Sequence, residues 1–239
     1  MQRQVRMGLV ATLLLGGVIG KAGAQETSSG WKWIVQPYFM LSHMNGTLGV
    51  GPVDAEVDVG PDEIFSHLQF GFMLNVEARS PVWAVALDAI YMDLEENAPG
   101  DNVRVGAEQS ALELAVFRRL GKSVEVLAGG RYNHLNSTID GPLQDRSGSQ
   151  SWFDPIVGFR VSTPDENKWS FSIRGDVGGF GVGSKLAIQL SPILGFRLSR
   201  TIGLALGYRY IDQDYENDDA SFRYDVATFG PELRVRIYF

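Results

Sequence analysis

The chain contains no cysteine in 239 residues, so neither a disulfide framework nor a thiolate metal site can be built from it. A long hydrophobic run is missing too: the apolar stretch from Met7 to Gly20 is shorter than the roughly 20 residues of a membrane-crossing helix. There is no excess of positive charge. The formal charge is −7, which argues against a general nucleic-acid binder, whose affinity comes from basic groups set on phosphates. No glycine-rich nucleophile elbow, zinc spacing or nucleotide loop occurs.

What is present begins with a short export signal. Arg3 and Arg6 precede the apolar stretch, and Ala22-Gly23-Ala24 is a small-residue cleavage site, so residues 1–24 read as a secretory signal peptide. No cysteine follows the site to carry a lipid anchor. Cleavage there removes three bases and no acid, which moves the formal charge from −7 to −10. The expected division is a signal peptide at 1–24, a short segment at 25–30 and one domain at 31–239.

Beyond the signal, apolar and polar residues alternate. In the closing stretch Phe229, Leu233, Val235, Ile237 and Phe239 share one face and Glu232, Arg234 and Arg236 the other, because successive strand side chains point to opposite sides. From Leu68 to Ala78 the even positions are Leu, Phe, Phe, Leu, Val and Ala, a pattern no helical period fits. Ten such segments are expected, at about 31–43, 67–79, 82–94, 109–119, 123–135, 150–163, 168–180, 186–198, 202–214 and 223–239. Short connections such as Ser80-Pro81 and Gly121-Lys122 alternate with longer ones at 44–66, 95–108, 136–149 and 215–222. Tight turns at one end and long loops at the other mark an outer-membrane barrel. The fold class is therefore all-β, a transmembrane antiparallel up-and-down β-barrel of about ten strands, with eight as the alternative.

A soluble barrel with an apolar interior would alternate as well, and composition separates the two. The polar faces carry Gly and Ala beside large charged residues, which suits a crowded lumen. Strand parity assigns to that lumen Lys32, Arg79, Arg119, Arg131, Arg160, Arg174, Arg197, Arg209, Arg234 and Arg236, with Glu77, Asp88, Glu113, Glu125, Asp154, Asp176 and Glu232. Nearly all the bases are Arg, whose fork pairs with several carboxylates at once. Trp31, Trp33, Trp83, Trp169, Tyr91, Tyr132, Tyr208, Tyr210 and Phe239 fall near strand ends, where amphipathic rings favour the headgroup layer. Pro37, Pro155, Pro192 and Pro231 fit badly inside strands, and bulges or frayed ends are expected at them.

The segments Ser151-Trp152-Phe153-Asp154-Pro155-Ile156-Val157-Gly158-Phe159-Arg160, Arg174 to Ser184, Gly207-Tyr208-Arg209-Tyr210 and Tyr224-Asp225-Val226 together resemble a broad group of Gram-negative outer-membrane β-barrel proteins, porin-like among them. The resemblance covers roughly 150–239 and implies location and fold more firmly than activity.

The functional expectation is a structural or small-solute channel protein of the cell outer membrane, monomeric, without cofactor, metal or catalytic residue. Its candidate site is a lumenal charge network of Asp88, Glu113, Arg131, Arg174, Asp176, Arg209 and Glu232, which either fills the lumen or lines a selective pore. Expected partners are outer-membrane lipid and lipopolysaccharide, and the barrel-assembly machinery through the Tyr238-Phe239 signature of the last strand. Two rivals stand beside it. A lipid- or peptide-modifying hydrolase would use a rim histidine from His43, His67 and His134; parity turns His43 and His134 toward lipid and leaves His67 inward. An adhesin or receptor would use loops 44–66 and 95–108. The acids Asp54, Glu56, Asp58, Asp62 and Glu63, and those around Asp212 to Asp219, read as solvated loops, because they lack the spacing of a calcium loop.

Overall fold

A computed structural model of the protein describes residues 30–50, 53–97, 104–140, 146–164, 167–217, 219 and 221–239. The expected signal peptide and nearly all of the 25–30 segment lie outside the described residues. The elements are β1 (Lys32–Met40), β2 (His43–Val50), β3 (Val53–Val59), α1 (Pro61–His67), β4 (Leu68–Arg79), β5 (Trp83–Asn97), β6 (Arg104–Arg119), β7 (Val124–Asp140), β8 (Arg146–Ser162), β9 (Trp169–Gly178), β10 (Leu186–Arg197), β11 (Ile202–Asn217) and β12 (Phe222–Tyr238).

From β4 to β12 each strand pairs antiparallel with the next. β12 closes the sheet on two partners in succession: its lower part pairs with β1 (Tyr38↔Arg234) and its upper part with β2 (His43↔Phe229). β1 and β2 are thus one wall strand interrupted at Leu41-Ser42, and the barrel has ten strands, not eight. The chain enters and leaves the wall at the end where the tight turns lie.

Alternation decides which face is which. Leu114, Phe159, Phe171, Leu206 and Leu233 are each about half exposed on the outside, while Glu77, Asp154 and Glu232 are buried within. Water would not tolerate such an apolar belt around a whole barrel, whereas lipid tails match it. Small inward residues leave room for large ones: Ala84, Ala86 and Ala115 sit beside the buried Phe117 ring. Trp31, Trp33, Trp83, Trp169, Tyr132, Tyr208 and Phe239 are exposed; Tyr91 and Tyr210 are partly so.

The four prolines lie where a ladder stops. Pro37 is the last β1 residue paired with β4. Pro155 lies just beyond the first β8–β9 pair, Ile156↔Gly178. Pro192 falls in a skip of the β10–β11 register between Leu190 and Ile193. Pro231 faces the break between β1 and β2, where its carbonyl accepts from the Leu41 N–H at 2.9 Å. Each missing donor falls at the end of a ladder or, at Pro192, in a two-pair gap after which the ladder resumes in the same register.

The segment 44–66, expected as a long loop, instead holds β2, β3 and α1. Val53, Ala55, Val57 and Val59 alternate with acids, and that period-two pattern pairs β3 with the edge of β2 that β4 would otherwise occupy. Much of 95–108 and 136–149 is ladder too, with Asn97↔Arg104 and Arg104↔Asp140 in register. Strands of 17 residues, as in β7, β8 and β12, exceed the roughly 10 residues needed to cross a bilayer, so the wall continues past the apolar belt.

Candidate functional site

Inward side chains meet across the lumen in tiers. Nearest the turns, Arg160 of β8 donates through both Nη atoms to Glu77 of β4 (2.8 and 3.1 Å) and through Nε to Glu125 of β7 (2.6 Å). Arg79 and Arg119 pair with the same two carboxylates, and the Arg160 guanidinium lies 3.9 Å from the centre of the Phe117 ring. β4 and β8 stand nearly opposite each other in the wall, so this tier spans the bore.

At mid-height two groups lie side by side. Arg131 reaches Glu113 at 2.7 Å, Asp176 at 3.2 Å and Gln189 at 2.7 Å, while Arg174 pairs with Glu113 at 2.6 Å and Asp176 at 2.8 Å. The other group begins at Asp88, which accepts from the Tyr38 hydroxyl at 2.6 Å and from Asn75 at 3.0 Å. Arg209 donates to the Tyr38 oxygen at 3.0 Å and lies 3.3 Å from Glu232, which in turn holds Arg234. All seven network candidates are therefore placed in the lumen, in two sets: Glu113, Arg131, Arg174 and Asp176, then Asp88, Arg209 and Glu232.

Sequence parity had also assigned Glu77, Arg79, Arg119, Glu125 and Arg160 inward, without singling them out as a tier of their own. What it passed over is the uncharged half of the network: Gln36, Tyr38, Asn75, Gln189 and Gln213. Their inward positions follow from the same parity; their partners do not, because those depend on which strands face each other across the bore. Lys32 and Arg197 stand at the turn-end mouth, in a funnel of about 860 Å³ that Arg79, Arg119, Lys122 and Arg200 also line. Above the funnel lie two lumenal cavities of about 60 Å³ each.

At the loop end a latch closes one side. Asp154, fully buried, accepts from the Ser184 N–H (2.6 Å) and Oγ (2.9 Å), and from Gln213 and Asn133 at longer range. The chain reaches that position through Gly179 (φ +86°), Phe180 (φ +51°) and Gly181 (φ +74°). A Cβ on Gly183 would lie 2.4 Å from the Phe153 carbonyl oxygen. Two of the four segments that carry the resemblance, 151–160 and 174–184, thus grip each other. Beside them Trp152 stacks on Tyr215 with centroids 4.5 Å apart.

The histidines do not converge. The His43 imidazole meets Asp58 (2.9 Å), His134 meets Ser151 (2.7 Å), and His67 meets Ser66 (3.2 Å) and the Glu63 carbonyl (2.9 Å). A nucleophile, base and acid must share one place, and these pairs share no residue. His67 lies in the last turn of α1 rather than on a strand, so the parity that had turned it inward does not apply. Among the described residues no group of three potential metal ligands occurs. Lys185 pairs with Glu216, and Arg223 with Asp225, on the acidic rim.

The barrel is similar in outline to solved outer-membrane barrels. The attachment invasion locus protein Ail of Yersinia pestis matches with a TM-score of 0.43 and 10% identity over 88% of this chain and 99% of that one. The outer membrane protease OmpT of Escherichia coli matches at 0.41 and 6% over 89% and 97%, and Neisserial surface protein A at 0.34 and 13% over 88% and 98%. Likeness at this level adds nothing to what the strand pairing shows. No protein-family model and no curated protein matches the chain.

Proposed function

We propose that the chain is a Gram-negative outer-membrane barrel with a sealed lumen, serving envelope structure rather than solute diffusion or catalysis. The observation that carries this reading is the set of ion pairs crossing the bore, β8 to β4 and β11 to β5, with cavities of about 60 Å³ beside them. Buried charges held by several hydrogen bonds each form a filler, because exposing one of them unpaired would be expensive. In this reading the turn end and its basic funnel face the periplasm, the acidic rim faces outward, and the belt contacts lipid and lipopolysaccharide. The last strand, ending in Tyr238 and Phe239, is the part read by the assembly machinery.

Single-channel recording of the refolded protein in a planar bilayer tests it. Wild type is expected to give no steps above baseline. Steady, ion-selective steps altered by Arg174→Ala with Arg209→Ala would overturn the sealed lumen and restore the pore.

A second reading rests on the wall beyond the belt. β5 to β8 carry their ladders well past the bilayer, and β2, β3 and α1 add to the same rim. That projecting rim suits surface recognition.

A further inference from the structure

The wall has a seam. β1 and β4 pair only from Lys32↔Arg79 to Pro37↔Leu74; above this level β1 keeps only β12, β2 pairs with β12 and β3, and β4 pairs only with β5. α1 sits in the opening. Its Ile64 is 3% exposed, and the Phe65 ring packs tilted against the lipid-facing Phe39 with centroids 4.9 Å apart. A cavity of about 70 Å³ lies here, lined by Tyr38, Met40, Ile64, Leu68, Met73 and Met92 among others. Met40, Met73 and Met92 also line the lumenal cavity that holds Arg131. Three thioethers thus stand between the interior and the membrane. Met44 is the one other methionine after position 25, so this flexible, adaptable side chain is concentrated at the seam.

We propose that this seam is a binding site for a single-chain anionic amphiphile, with α1 as its displaceable plug. The proposal rests on the membrane placement given above. Tail chemistry follows from the lining, which is hydrocarbon and thioether apart from Tyr38, whose hydroxyl is already bonded to Asp88 and Arg209. Headgroup chemistry follows from Arg131: the residue is 3% exposed and lines the inner cavity together with Arg209, Asp88 and Glu113, yet its Nη1 has no hydrogen-bond partner among the described residues. A buried guanidinium N–H without an acceptor calls for one. The plug itself is weakly held: α1 has seven residues and no side-chain cap at Gly60. Helices this short are marginal without packing, so the plug can leave while the ladders stay. The two cavities are too small for an alkyl chain until it does.

The test uses the refolded protein in vesicles of a saturated phosphatidylcholine and a palmitate analogue with a photoactivatable diazirine near its chain end, the adducts being mapped by mass spectrometry. Labelling is expected at Met40, Met73 or Met92. It should fall at least five-fold in an oxidised Phe39→Cys, Phe65→Cys variant, where the plug is tied to the wall, and return on reduction. Met73→Trp, which fills the passage, should lower it without any crosslink. Hexadecanol should compete several-fold less well than palmitate. Labelling spread evenly along the belt at Leu206 and Leu233, or unchanged in both variants, would mean ordinary lipid contact and overturn the site; equal competition by hexadecanol would overturn the role of Arg131. Vesicle insertion and heat-resistant mobility, measured on the same samples, report failure of the membrane placement separately.

Discussion

Glu232→Leu should lower the unfolding free energy of the barrel by about 3–5 kcal/mol in a reversible denaturant titration in vesicles, the cost of stranding a buried charge. Glu232 is 1% exposed and stands between two guanidinium groups, accepting from Nε and Nη2 of Arg234 at 3.0 Å each and lying 3.3 Å from Arg209. Arg209 keeps its ion pair with Asp88 when the carboxylate is removed, whereas Arg234 loses its ion pair and keeps the face of the Tyr38 ring, with Asp88 acting on it from farther off. The double variant Glu232→Leu, Arg234→Met should regain most of the loss, because removing both charges also removes the desolvation that their pairing offsets. A single substitution costing less than about 1 kcal/mol would show instead that water reaches these groups, as at an exposed pair. Stability thus reports on the sealed lumen without any conductance measurement.

Asp154→Ala should cost about 3 kcal/mol in the same titration, since hydrogen bonds to a charged group contribute roughly 1.5–3 kcal/mol each and orphaned donors add their own penalty. No arginine or lysine hydrogen-bonds this carboxylate among the described residues; the Ser184 N–H and hydroxyl, Asn133 and Gln213 hold it. Its loss should also open the 179–185 turn to protease, the direct check that the latch is undone. Gly183→Ala should produce the same cleavage, because its Cβ meets backbone oxygen rather than a side chain that could swing aside.

Period-two alternation made the ten wall strands legible, and the same parity put every network candidate on its inner face. β3 was equally alternating at Val53, Ala55, Val57 and Val59, but its intervening Asp54, Glu56 and Asp58 read as a repelling loop. Carboxylates on the outward face of a rim hairpin meet water, so their repulsion costs little and does not veto the strand. α1 was hidden for a different reason: seven residues are too few to show a helical period. The cross-lumen partners were out of reach because sequence separation says nothing about them: Arg209 and Tyr38 are 171 positions apart, and Arg160 and Glu77 are 83 apart. Strand tilt and stagger bring them level, and these are properties of the closed barrel rather than of any one strand.

The split partnership of β12 makes it the join of the whole wall. This last strand completes the wall against β1 and β2 at once, and its Arg236 bonds Gln36 across 200 positions. Without β12 the sheet has two raw edges and nothing to join them, a state prone to pairing with neighbouring chains. Bringing such distant ends together is also the slowest kind of step in folding. A chain cut short before Glu232 would lose every β1–β12 pair, together with the Arg234 and Arg236 side chains that fill the lumen there, and the sheet would stay open along that line.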